Sequence, residues 1–140
     1  ALRPPMQPLA LLRALRPHAQ KNLLCVIGCG GDRDPRKRPV MGGIAARLAD
    51  LAVITDDNPR SEDPSAIRAA MLAGVAANDT GRVKEIPGRR EAIRWAVGRL
   101  GDGDILVIAG KGHEQGQIIG ERVEPFDDAG EARKAMGKAA

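Results

Sequence analysis

Asp57, Asn58, Pro59 and Arg60 follow one another just beyond a short apolar run, Leu51-Ala52-Val53-Ile54-Thr55. The run predicts a strand, so the tetrapeptide sets an anion, an amide, a rigid turn and a guanidinium at a strand tip. A carboxylate holds an ammonium group, and a guanidinium grips a carboxylate through two parallel N–H donors. A ligand bearing both groups, such as an amino acid, suits that set. Asp, Asn and Pro also serve strand-to-helix turns for backbone reasons alone, so the weight of the motif rests on the loops that accompany it.

Two further loops carry chemistry. Gly28-Cys29-Gly30-Gly31-Asp32-Arg33-Asp34 follows the apolar run 23–29, and Gly110-Lys111-Gly112-His113-Glu114 follows Ile105-Leu106-Val107-Ile108-Ala109. Glycine without a Cβ lets backbone N–H groups come close to a ligand. The first loop is not a dinucleotide fingerprint, because G-x-G-x-x-G would need glycine where Arg33 stands, and no G-x-x-x-x-G-K-[ST] pattern occurs. A protein of this kind working with ATP would hold its main phosphate cradle outside this chain. In the second loop Lys111 suits a phosphate, His113 a substrate hydrogen bond or a loop cap, and Glu114 an ammonium group. No Ser/His/Asp or Cys/His arrangement stands at a spacing that suggests covalent catalysis, so no residue is assigned a catalytic role.

Together the loops make a charge balance. Arg33 and Arg60 against Asp57 and Glu114 match a ligand with two carboxylates and two ammonium groups. Lysine lacks the second carboxylate and would leave one guanidinium without its partner. A buried polar group left unsatisfied costs about 1–3 kcal/mol, enough for roughly 10-fold to over 100-fold discrimination.

The elements that must position these loops read as an alternation. A short helix is expected over Leu9 to Leu15, ending before Pro17. The continuous apolar runs 23–29, 51–55 and 105–109 predict strands covered on both faces. Between them lie a helical stretch from Pro39 to Asp50 and a helix opened by Asp63 as N-cap with Pro64 first, carrying Ile67, Met71, Leu72 and Val75. A weaker strand at about 82–86 and a helix over 89–100 follow. Residues 117–120 and 122–126 suggest a hairpin of short strands, and 129–138 a last helix. This pattern predicts an α/β, Rossmann-like, mostly parallel sheet with helices on both faces and a short antiparallel hairpin near the C-terminus. Ligands of such sheets sit outside the strand carboxyl ends, so loops 28–38, 56–62 and 110–117 should share one edge.

Composition bounds the reading. At 140 residues with 43% hydrophobic content, the chain can build one ordinary domain: a linker and short lead-in helix over 1–22, then a single domain over 23–140. One Trp, one Phe and no Tyr make the core aliphatic and deny it the stacking surfaces of single-strand nucleic-acid binders. A net charge of +4 is a mixed surface with a modest basic excess. Its densest cluster, Arg33, Arg36, Lys37 and Arg38, reads as a solvated loop or as an anion-facing one. Cys25 and Cys29, four apart on a strand, would stand roughly 13 Å apart, beyond the reach of a disulfide. With no zinc spacing and no long apolar span, a cytoplasmic location and no membrane insertion are expected.

With all three loops in hand, the chain resembles the C-terminal domain of the Mur ligases, specifically those of the MurE type, which add meso-diaminopimelate in peptidoglycan assembly. The resemblance runs from Leu23 to about residue 135. It rests on residues 28–34 with Lys37-Arg38-Pro39 and Met41-Gly42, on Thr55 to Arg60, and on Ala109 to Glu114. It implies an ATP-dependent ligase joining diaminopimelate to UDP-N-acetylmuramoyl-L-alanyl-D-glutamate, with this domain binding and orienting the incoming amine. Asp57, Asn58, Pro59 and Arg60 would then bind diaminopimelate, with Arg33, Gly110 and Glu114 completing the site. Asp32 and Lys37 would face ATP on domain closure. ATP and Mg2+ would be held mainly by a central domain, and the UDP-sugar dipeptide by an N-terminal one. No metal ligand is assigned in this chain, no nucleic acid is a partner, and contacts with other Mur ligases stay open. Pro35-Arg36, Gln115-Gly116 and Ala129 depart from the usual pattern, none of them within the diaminopimelate set. A non-catalytic amino-acid-binding or interaction module of the same fold, or a lysine-adding ligase, is the alternative.

Overall fold

The computed structural model describes residues 8–31, 34–111 and 115–119, and only the backbone of residues 8, 9, 11, 110, 111 and 115–119. Two apolar layers built on alternating strand residues organise it. In β1 (Leu23–Cys29) every residue is buried, as expected of a strand enclosed on both faces. Leu23, Cys25 and Ile27 point into one layer, with Ala52, Ile54, Val107 and Ala109. Leu24 and Val26 point into the other, with Val53, Leu106 and Ile108. Each large aliphatic side chain removed from water in this way contributes about 1.5–3 kcal/mol.

The remaining strands are β2 (Leu51–Asp56), β3 (Val83–Glu85), β4 (Ile105–Lys111) and β5 (Gln115–Ile119). Their order in the sheet is β3-β2-β1-β4-β5. The first four run parallel, and β5 is antiparallel to β4. Strand β5 thus begins before the expected residue 117 and pairs with β4; the hairpin partner expected at 122–126 and the helix expected at 129–138 lie outside the described residues. Helices α1 (Pro8–Leu15), α2 (Lys37–Leu48) and α3 (Pro64–Leu72) supply Leu12, Ala45, Ile67 and Met71 to the first layer. Helix α4 (Arg89–Arg99) supplies Ala92, Ile93, Ala96 and Val97 to the second. Helices thus cover both faces.

Two boundaries differ from the pattern reading. Helix α2 begins at Lys37 rather than Pro39, because the N–H groups of a first helical turn have no intrahelical partner and proline there costs nothing. Helix α3 ends at Leu72, short of Val75, and a 3-10 segment, Ala77–Arg82, follows it. The start of α3 is as expected: Asp63 accepts from the Ser65 N–H at 3.0 Å, with Pro64 next. Helices α2 and α3 approach so closely that a Cβ on Gly42 would lie 2.1 Å from the Met71 carbonyl oxygen.

Burial also settles the thiols. Both cysteines are buried and neither is in a disulfide, and burial pushes the Cys25 thiol up to about 12 against a lowering influence of Arg89. A thiol so protonated is inert as a nucleophile.

Candidate functional site

Strand register decides which loops meet. Ile27 of β1 stands opposite Ile54 of β2 and Ala109 of β4, so the three strands end side by side. Strand β1 connects onward to β2 on one flank while β4 lies on the other, which makes the gap between β1 and β4 a topological switch point. Residues 57–62 follow β2, residues 30–36 follow β1, and β4 turns back into β5 at the same edge.

The first two loops are fastened together. Gly31 donates its N–H to the Asn58 carbonyl at 2.7 Å, and Arg60 Nη1 donates to the Gly31 carbonyl at 2.7 Å. A Cβ on Gly31 would lie 1.8 Å from the Pro59 carbonyl oxygen, so only glycine permits this approach. Asn58 Oδ1 accepts from the Arg60 N–H at 3.1 Å, and Arg60 has φ of 48°. A non-glycine residue in the left-handed region carries about 1 kcal/mol of strain or more. Here that conformation turns the guanidinium back over the neighbouring loop, where Nη1 meets the Gly31 carbonyl.

Both ends of the Asp57–Arg60 segment are anchored. Asp56, the last residue of β2, accepts from Arg68 of α3 and from the Gly88 N–H, the latter at 2.8 Å. Arg68 also donates to Glu85 at 2.9 Å, and these carboxylates raise its pKa against its own desolvation, the Glu85 hydrogen bond first. Beyond Arg60, Glu62 receives a two-pronged grip from Arg38, at 3.0 and 2.7 Å. Arg89 Nη1 donates to the Asp56 carbonyl at 3.3 Å and its Nη2 to the Ala109 carbonyl at 3.1 Å.

Of the sequence-derived site residues, Asp57, Asn58, Pro59 and Arg60 lie together at the β2 tip, with Asp57 half-buried and Arg60 exposed. Gly110 lies in β4, near its end. Lys37 is exposed in the first turn of α2. Asp32, Arg33, His113 and Glu114 lie outside the described residues. The basic cluster resolves into separate jobs: Arg38 is buried against Glu62, and Arg36 pairs with Asp34 at 3.0 Å. Asp34 is held below the usual carboxylate range, chiefly by the Arg36 side-chain hydrogen bond. The pattern reading missed Asp56, Glu62, Arg68 and Arg89; charged residues at strand ends and first helical turns were the available signal.

The parallel sheet, its switch point and the charged loops on its carboxyl edge define a Rossmann-like ligand-binding domain. Residues 5–112 match the family model of the Mur ligase, glutamate ligase domain, and the chain belongs to that family. It is 56% identical over 126 residues, 90% of its length, to the UDP-N-acetylmuramoyl-L-alanyl-D-glutamate--2,6-diaminopimelate ligase of Caulobacter vibrioides, of which it covers 25%. It is 54% identical to the ligase of the same name from Geobacillus kaustophilus, over 89% of this chain and 25% of that one. A solved structure of a UDP-N-acetylmuramoyl-L-alanyl-D-glutamate--2,6-diaminopimelate ligase superposes with a TM-score of 0.77 at 41% identity, covering 94% of this chain and 27% of the other. The chain thus spans about a quarter of the length of these relatives.

Proposed function

We propose that this chain is the amino-acid-binding C-terminal domain of an ATP-dependent ligase that adds meso-diaminopimelate to UDP-N-acetylmuramoyl-L-alanyl-D-glutamate. The observation that carries the reading is the contact of Arg60 with the Gly31 carbonyl at 2.7 Å. It puts the guanidinium of one loop beside the loop that leads, two residues on, to Arg33. In this reading Arg60 takes the distal carboxylate, assisted by Asn58 and Pro59, and Asp57 takes an ammonium group. Arg33, Gly110 and Glu114 complete the site. The names of the relatives support diaminopimelate as the amino acid.

The reaction of such ligases is activation of the D-glutamyl carboxylate as an acyl phosphate, attack by the diaminopimelate amine, and departure of phosphate. This domain contributes orientation of the amine, which is a matter of entropy and positioning. Among the described residues no group of three or more His, Cys, Asp or Glu could hold a metal ion, and the chain contains no P-loop pattern. In this reading ATP and Mg2+ are held mainly by other parts of the ligase, with Asp32 and Lys37 approaching the nucleotide on closure. No helix among the described residues is long and apolar enough to cross a membrane; a cytoplasmic location is part of the proposal.

Steady-state ligation by the full-length protein tests the reading. Diaminopimelate should be used with a kcat/KM about 10-fold to over 100-fold above that for lysine, since lysine leaves a guanidinium unmatched. Equal use of the two, or preference for lysine, would overturn it.

A further inference from the structure

We infer that Arg89 is a positioning residue that fixes the spacing between the β2 loop and the β4 loop by bridging the carbonyl of Asp56 at the end of β2 and that of Ala109 near the end of β4. The inference rests on the diaminopimelate reading above. Strands β2 and β4 each pair with β1, as far as Asp56 and Ala109 respectively, and not with each other, so beyond those residues no direct backbone ladder joins their loops. One guanidinium does, donating to the Asp56 carbonyl from Nη1 at 3.3 Å and to the Ala109 carbonyl from Nη2 at 3.1 Å. Asp56 immediately precedes Asp57, and Ala109 immediately precedes Gly110. A planar fork holds two acceptors at a fixed separation, which a single ammonium group cannot do.

Two features of the surroundings fit this role. Arg89 opens α4, and the preceding Gly88 N–H donates to the Asp56 carboxylate at 2.8 Å, so the helix start is itself docked on β2. Strand alternation places Gly28 on the α4 face of β1, in line with Leu24 and Val26. A Cβ on Gly28 would lie 2.8 Å from the same Asp56 carbonyl oxygen that accepts from Arg89. Glycine at that position leaves the bridge its room.

A ligand held by both loops is sensitive to their separation, and a misplacement of about 1 Å can cost on the order of 100-fold. The test compares Arg89→Ala, Arg89→Lys, Arg60→Ala and the Arg89→Ala/Arg60→Ala double variant in the full-length ligase. Expected are a rise of about 10-fold or more in the KM for diaminopimelate in both Arg89 variants, with KM for ATP within about twofold, and less than twofold added by Arg89→Ala to Arg60→Ala. Lysine keeps the charge and helix propensity, so Arg89→Lys decides the matter should Arg89→Ala fold poorly. An Arg89→Lys variant with the parental KM for diaminopimelate would overturn the inference, as would a parallel rise in the KM for ATP. If Arg60→Ala raises KM and Arg89→Lys does not, only the bridge is wrong; if Arg60→Ala itself changes nothing, the diaminopimelate reading fails and the bridge with it.

Discussion

Arg38 and Glu62 meet in a two-pronged ion pair, 3.0 and 2.7 Å, that ties the first turn of α2 to the far end of the β2 loop. The pair is lopsided, since the Arg38 side chain is 7% exposed and that of Glu62 34%. Removing the carboxylate takes the ion-pair charge from a buried cation, whereas removing the guanidinium leaves an anion that can reach water. Glu62→Ala should therefore lower stability by about 2–3 kcal/mol and Arg38→Met by less than about 1.5 kcal/mol. Chemical denaturation measures both, and the reverse ranking would refute the burial argument.

The left-handed backbone of Arg60, with φ of 48°, separates its effect on stability from its proposed role in binding. Glycine adopts that conformation without a Cβ penalty. Arg60→Gly should be more stable than Arg60→Ala by about 1 kcal/mol, the opposite of their usual order. Thermal melting of the two variants checks this, and an alanine variant melting higher would contradict it.

Glycine positions supply a matched pair. At Gly31 an added Cβ would meet the Pro59 carbonyl oxygen at 1.8 Å, and at Gly98, inside α4, it would meet nothing within 4 Å. Gly31→Ala should cost about 1–3 kcal/mol and weaken diaminopimelate use, because the two loops must part. Gly98→Ala should stabilise by up to about 1 kcal/mol. Equal melting temperatures for the two variants would sink this account of the loop contact.

Acid dependence is expected at Asp50. Desolvation acts to raise its pKa, but hydrogen bonds from Arg16 and the Leu23 N–H prevail and hold it lowered. A carboxylate depressed in the native state stabilises fully above its unfolded value of about 4, and that contribution is lost as pH falls through the native value. Asp50→Asn should cost about 1–2 kcal/mol at pH 7, with the deficit shrinking below pH about 4. A deficit constant from pH 7 to 2 would exclude this linkage.

The strands were legible because a doubly covered strand must be apolar throughout, as Leu23–Cys29 is, and the loops because glycine, proline and charged residues break those runs. Helix limits were less so: Pro39 and Val75 mislead when pattern is read without packing. What could not be read is long-range. Nothing local announces that Arg38 pairs with Glu62, that Arg89 joins Asp56 to Ala109, or that Arg60 takes a positive φ, since each depends on the register of β1 with β2 and β4.

Arg60→Ala in the full-length ligase, assayed as the ratio of kcat/KM for diaminopimelate to that for lysine, tests the central claim most directly. The guanidinium is assigned to a carboxylate that diaminopimelate has and lysine lacks, so its removal should lower the ratio by about 10-fold to 100-fold, leaving the KM for ATP within about twofold. A ratio unchanged from the parent protein would contradict the assignment of Arg60 to that carboxylate.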